Sequence, residues 1–203
     1  TAIRRQRQMC IRDRPAPAVT AKGKGGTNVM TANDRLKQEL IEQFGTPCAV
    51  IDLDIVDRNI AHLQSLCDAA GLANRPHIKT HKSPVLARRQ LDAGAIGITC
   101  QKLGEAEVMA EAGIEDILIA TNIIGAARSG RLAALQRRIS LKICADNPVS
   151  LAAYAEAGQA AERAVRVLVE CDTGHKRAGV ETPEEAIALA RICLLYTSDA
   201  ADE

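Results

Sequence analysis

The sequence predicts an α/β fold in which parallel strands alternate with helices, on three observations. First, a unit of short apolar strand, polar loop, helix and glycine recurs from residue 77 onward, with strands about 20 residues apart, and the intervening helices force those strands to be parallel. Second, 47% of residues are apolar while only 1% are aromatic, so the core must be Ala, Leu, Ile and Val, which suits helices packed on buried strands. Third, every strand end presents polar groups: Lys79 and His81, Gln101 and Lys102, Thr121 and Asn122, Asp146, and Asp172 to Arg177. One mouth therefore collects the reactive side chains, where barrels and open α/β sheets carry their active sites. Five βα units in series mean either an eight-stranded barrel cut short or an open doubly wound sheet. Spacing alone does not separate the two.

Taken in order, Asp34 to Phe44 has helical spacing of Leu36, Leu40, Ile41 and Phe44 and stops at Gly45. Thr46-Pro47 opens the apolar run Cys48 to Leu53, which reads as a strand. Asp57 is the expected cap of the next helix, whose apolar face is Ile60, Leu63, Leu66 and Cys67 and which ends at Gly71. Strand 77–80 leads into helix 84–93, with Ser83 as cap and Pro84 in the first turn, and Gly94 ends it. Strand 96–100 precedes helix 104–112 and Gly113; strand 117–121 precedes helix 127–138. Strand 141–145 precedes Asn147-Pro148 and helix 148–157, with Gly158 as its stop. After strand 165–171, Thr182-Pro183-Glu184-Glu185 is a capping box that starts helix 183–192.

Both ends are set aside. Residues 1–14 and 193–203 look like translations of one sequencing-library adaptor read in opposite directions, so the coding sequence is expected within residues 15–192. Within residues 15–45, the Pro/Gly/Ala/Lys-rich stretch 15–29 is expected to be disordered or to precede a true start at Met30. Five basic and four acidic residues lie in the two tails, which leaves 21 Lys+Arg against 21 Asp+Glu. That balance gives no reason to expect nucleic acid or an anionic membrane as a partner. No apolar run approaches the ~20 residues that span a bilayer, and the N-terminus lacks the apolar core of a signal peptide. The seven cysteines have no CxxC and no metal-ligand spacing, and they read as buried free thiols in a reducing cytoplasm.

The chain is organised around Arg75-Pro76-His77-Ile78-Lys79-Thr80-His81-Lys82. A lysine at a strand end can lose hydration and feel neighbouring cations, which frees its amine for a Schiff base. The plainer reading of these eight residues is a solvated basic loop. His77 and His81 are four apart but lie on a strand-to-loop segment, so they share no helical face, and no third metal ligand is evident. Glu105 reads as complementing a helix dipole in the first turn.

This segment resembles the cofactor-lysine segment of the D-threonine aldolase and D-serine dehydratase family, fold type III pyridoxal phosphate enzymes whose fold is like the N-terminal barrel of alanine racemase. Three further stretches agree. Thr99-Cys100-Gln101-Lys102-Leu103-Gly104-Glu105-Ala106-Glu107 is most similar to the 3-hydroxy-D-aspartate aldolase and D-threonine aldolase branch, Ile117 to Gly125 resembles the family's third strand, and Val169 to Val180 resembles its (V/I)-x-x-D-T-G-x-x-R-x-G-V loop. The resemblance covers residues 46–192 and favours the barrel over the open sheet. It implies that Lys79 carries pyridoxal 5'-phosphate, that His77 packs near the cofactor, that Gln101 contacts it, and that Arg177 lies near its ring oxygen or the substrate carboxylate.

The activity so implied is that of a lyase on D-amino or 3-hydroxy amino acids, by retro-aldol Cα–Cβ cleavage through a Lys79 Schiff base. Alternatives within the same fold are a D-serine dehydratase or an amino acid racemase; a non-catalytic pyridoxal phosphate homeostasis protein, or a barrel enzyme with a Schiff-base lysine and no cofactor, also stays open. The resemblance implies a divalent metal held only by a C-terminal β domain missing here, and a homodimer at full length. With barrel strands also missing, the polypeptide as written is expected to be inactive and unstable, with unclosed sheet edges.

Overall fold

The computed structural model describes residues 31–198, with side chains described to Leu195. The expectations for residues 1–30 and 199–203 lie outside the described residues. The chain divides into two compact units, residues 1–50 and 51–203. The first contains helix α1 (Ala32–Phe44), which starts on a capping box between Thr31 and Asp34 and stops at Gly45.

The second unit runs α2 (Leu53–Ala69), α3 (Pro84–Asp92), β1 (Ile98–Cys100), α4 (Leu103–Glu111), β2 (Asp116–Ile119), α5 (Ala126–Arg138), β3 (Ser140–Ala145), α6 (Pro148–Ala161), β4 (Arg166–Val169) and α7 (Pro183–Ser198). The four strands form one parallel sheet in the order β1-β2-β3-β4. Each crossover steps one strand in the same direction, and right-handed crossovers of that kind keep their helices on one face. A doubly wound sheet would reverse direction at a switch point. The sequential order is therefore that of a barrel arc, which settles the alternative that spacing left open.

Burial alternates along the strands accordingly. Ile117 and Ile119 of β2 and Leu141, Ile143 and Ala145 of β3 are buried among the helices, whereas Leu118, Lys142 and Cys144 between them are only half-buried on the concave side. At the foot of that concave side Asp116 binds two cations, Arg75 Nη1 at 2.6 Å and Lys142 Nζ at 2.8 Å. Gly97 makes room for this cluster, because a Cβ there would stand 2.2 Å from Arg75 Nη1 and 2.7 Å from the Asp116 carbonyl.

The caps expected at Ser83 and Thr182 are present, and Asn147 caps α6 as well; each side-chain oxygen accepts a first-turn N–H, from Leu86, Glu185 and Ser150 respectively. Several expectations need correction. Cys48 to Leu53 has no strand partner among the described residues; it stays exposed, and Asp52 rather than Asp57 caps the helix by accepting the Ile55 N–H at 3.0 Å. Asp57 instead pairs with Arg89. The strand expected at 77–80 shrinks to one bridge, His77 with Thr99. Its ladder stops because His77 Nδ1 accepts the Lys79 N–H and the Lys82 N–H turns back to the Ile78 carbonyl at 2.8 Å. Helix α6 runs through Gly158 to Ala161; its Ala-rich sequence outweighs one glycine, and the stop falls on Glu162 in the left-handed region at φ 53°. Of the thiols expected in the core, Cys100 alone among the described residues is fully buried, Cys67, Cys144 and Cys193 being half-buried and Cys48 and Cys171 exposed.

Tyr154 of α6 ties the helix layer to the sheet. Its hydroxyl donates to the Cys144 carbonyl at 3.0 Å and accepts the Ile123 N–H at 3.0 Å, and the ring is 2% exposed. Tyr154→Phe keeps the packing but strands a buried N–H, so a loss of about 1–2 kcal/mol is expected in urea unfolding. An unchanged unfolding midpoint would show that water replaces the hydroxyl.

Candidate active site at the strand ends

The mouth is built from the residues that follow each strand. Lys79 sits on the turn after the His77 bridge, and Ile78 beneath it is fully buried, which fixes the turn to the core. The Lys79 side chain is exposed and makes no ion pair among the described residues. Beside it, half-buried His77 turns Nε2 to Gln101 Oε1 at 3.2 Å. Because His77 Nδ1 accepts the Lys79 N–H, the ring proton sits on Nε2 and is donated to Gln101.

From Gln101 the hydrogen bonds continue across the arc. Thr121 Oγ1 donates to the Gln101 carbonyl at 2.7 Å, and the neighbouring Asn122 donates through Nδ2 to Asp146 Oδ1 at 2.7 Å. Asp146 also takes Asn147 Nδ2 at 2.8 Å and, through Oδ2, the Gly179 N–H at 2.9 Å. Burial works against its charge, yet the Gly179, Asn147 and Asn122 donors hold the carboxyl below its ordinary value. Sequence reasoning noted Asp146 only as one of several strand-end groups, and the signal for its role was its position between β3 and the Asn147-Pro148 helix start. It anchors the 171–180 loop. Gly179, at φ 100°, admits no side chain there, since a Cβ would lie 2.5 Å from the Asp172 nitrogen. Asp172 Oδ1 closes the loop tip by accepting the Gly174 N–H at 2.7 Å.

Arg177 projects from that loop and is exposed. Lys79 follows the first position of the arc and Arg177 the fifth, so ~19 Å of sheet separates their strands at ~4.8 Å per strand. In a closed barrel of eight, first and fifth positions face each other across the mouth. A cavity of about 710 Å³ adjoins this end, against Lys82, Lys102, Glu105, Thr121 and Asn122, but Lys79, His77 and Arg177 do not line it.

His81 is not part of the His77 cluster. Its Nδ1 accepts the Ser83 N–H at 3.0 Å; burial, only partly offset by Gln90 and Ser83, lowers its pKa. Burial and the nearby Glu105 charge push the Cys100 thiol up to about 12, and burial with Glu170 and Asp146 pushes Cys144 up to about 11. Neither thiol is an activated nucleophile. Among the described residues no three His, Cys, Asp or Glu side chains stand together to hold a metal, and no helix is long and apolar enough to cross a membrane.

Comparison with known proteins assigns the family. Residues 51–196 match the family described as "Alanine racemase, N-terminal domain". The chain belongs to that family. Among curated proteins, it is 40% identical over 151 residues to the D-threonine aldolase of Arthrobacter sp, spanning 74% of this chain and 40% of that protein. It is 39% identical over 153 residues to the D-threo-3-hydroxyaspartate dehydratase of Delftia sp. (strain HT23), spanning 75% and 40%. The crystal structure of D-threonine aldolase from Filomicrobium marinum superposes with a TM-score of 0.71 at 37% identity, over 72% of this chain and 40% of that one. The alanine racemase of Streptomyces lavendulae, at 22% identity and a TM-score of 0.64, shares the fold. The alanine racemase N-terminal domain is thus represented by an arc that spans about 40% of the length of the curated relatives it matches.

Proposed function

We propose that the protein is a pyridoxal phosphate-dependent lyase that cleaves the Cα–Cβ bond of D-amino or 3-hydroxy amino acids, with Lys79 holding the cofactor. The observation that carries this reading is the setting of Lys79: an amine free of ion pairs among the described residues, on a turn fixed by buried Ile78 and by the His77–Gln101 pair, at the strand-end mouth. The kinship with D-threonine aldolase and with 3-hydroxyaspartate enzymes supports the substrate class.

The donor set fits the cofactor. An aldehyde needs a primary amine, which Lys79 Nζ supplies, and an aromatic ring with anionic substituents suits the flat imidazole of His77, the amide of Gln101 and the guanidinium of Arg177. When bound, pyridoxal phosphate supplies an electron sink for negative charge developing at Cα. Lys79 Nζ, the exposed amine on this turn, would hold the aldehyde and would serve as the base that takes a proton from the substrate hydroxyl. His77 and Gln101 keep the ring oriented because each fixes the other's polar atom. Arg177, on a loop pinned by Asp146, would supply a fixed cation for the ring oxygen or the substrate carboxylate. The reading includes a homodimer and a divalent metal on the substrate hydroxyl whose ligands are not among the described residues.

Borohydride reduction of the cofactor-loaded protein followed by peptide mapping tests the assignment. The expected adduct is on Lys79. An adduct on Lys82 or Lys102 in its stead, or none in an active preparation, overturns it.

A further inference from the structure

Glu105 opens the first full turn of α4, where its charge alone would suit the helix dipole, but its carboxylate does something else. It reaches back out of the helix. Oε2 accepts the Gln101 N–H at 2.8 Å, and Oε1 pairs with Lys82 Nζ at 3.2 Å. The Glu105 side chain is only 10% exposed, against 55% for Lys82, so the anion is the fixed member of the pair.

Those two contacts bracket Lys79. Lys82 closes the turn that carries it, through its N–H to the Ile78 carbonyl, and stands in the left-handed region at φ 50°, a conformation that a lysine adopts only when held. Gln101 is linked to the Lys79 backbone through His77, whose Nε2 faces the Gln101 amide and whose Nδ1 takes the Lys79 N–H. One carboxylate therefore links the closing residue of the lysine turn to the residue that orients the imidazole beside it.

We propose that Glu105 is a positioning residue for Lys79, acting through Lys82 with one oxygen and through the Gln101 backbone with the other. The proposal rests on the reading of Lys79 as the cofactor-holding lysine. Burial raises the Glu105 carboxyl, but the Gln101 N–H and Lys82 outweigh it and keep the group below its ordinary value, hence charged at neutral pH.

A double-mutant cycle on the intact protein tests it, with pyridoxal phosphate as the probe and two readouts, the dissociation constant and the site of borohydride-trapped adduct. Glu105→Gln and Lys82→Met each break the ion pair while leaving an acceptor for Gln101 or the whole of Glu105, and each is expected to weaken binding about fivefold. The double variant is expected to be no worse than either single one, because both remove one interaction. Glu105→Ala, which loses both arms, is expected to weaken binding about thirtyfold. Single variants that bind within roughly twofold of the parent, or a double variant whose losses simply multiply, overturn the positioning role and leave Lys79 as the attachment point. A fall in melting temperature with unchanged binding overturns it likewise. Loss of all adduct in Lys82→Met, with the adduct retained in Lys79→Ala, overturns the reading of Lys79 itself.

Discussion

In the full-length protein, Lys79→Ala is expected to abolish covalent attachment of pyridoxal phosphate and to lower turnover of a D-3-hydroxy amino acid by about a thousandfold or more. The size of the effect follows from one amine having two duties, holding the cofactor and moving a proton at the substrate hydroxyl, with no second amine hydrogen-bonded to His77 among the described residues. Lys82 does not substitute readily, because its Nζ is paired with Glu105 and its backbone closes the turn. Absorbance spectra and steady-state rates check this together. A variant that keeps both the yellow colour and the parent rate is incompatible with the proposed function. Little stability change accompanies the substitution, since the side chain is exposed.

The second large effect is on stability. Asp116→Ala leaves Arg75 and Lys142, at 16% and 21% exposure, facing each other without their shared anion. Removing one member of a fully buried pair costs several kcal/mol; with Asp116 itself 38% exposed, solvent screening reduces the expected loss to about 2 kcal/mol. The same cluster sets an acid limit. Burial raises the Asp116 carboxyl, but Arg75 and Lys142 prevail and lower it from 3.8, so its folded value lies below its unfolded one. Its contribution is therefore complete above the ordinary carboxylate range and disappears as pH falls through the lowered folded value. Urea unfolding of parent and Asp116→Ala across that range is expected to show a gap that is widest near neutrality and narrows on acidification. A gap independent of pH would mean that packing, not charge, is what Asp116 contributes.

Much of this architecture was legible because proline, glycine and cap residues punctuate the chain locally. Ser83-Pro84, Asn147-Pro148 and the Thr182 box mark helix starts that depend only on neighbouring backbone. What misled were apolar runs whose fate depends on distant partners. Cys48 to Leu53 has the composition of a strand but no ladder to join among the described residues, and the His77 segment loses its ladder to a side-chain nitrogen that no periodicity reveals. The site was legible to the level of which strand ends carry polar groups. The links between them were not, because Asn122 to Asp146 and Asp146 to Gly179 span 24 and 33 residues. Glu105 was partly visible, as an acid at the third helical position that commonly reaches back to free N–H groups.

The strand order has a consequence for how the molecule is made. Each of β2, β3 and β4 pairs with the strand synthesised just before it, so each finds a docking edge already made when it emerges. Growth of this kind proceeds like laying staves side by side, and a circular permutant cut between two staves would disturb a single seam.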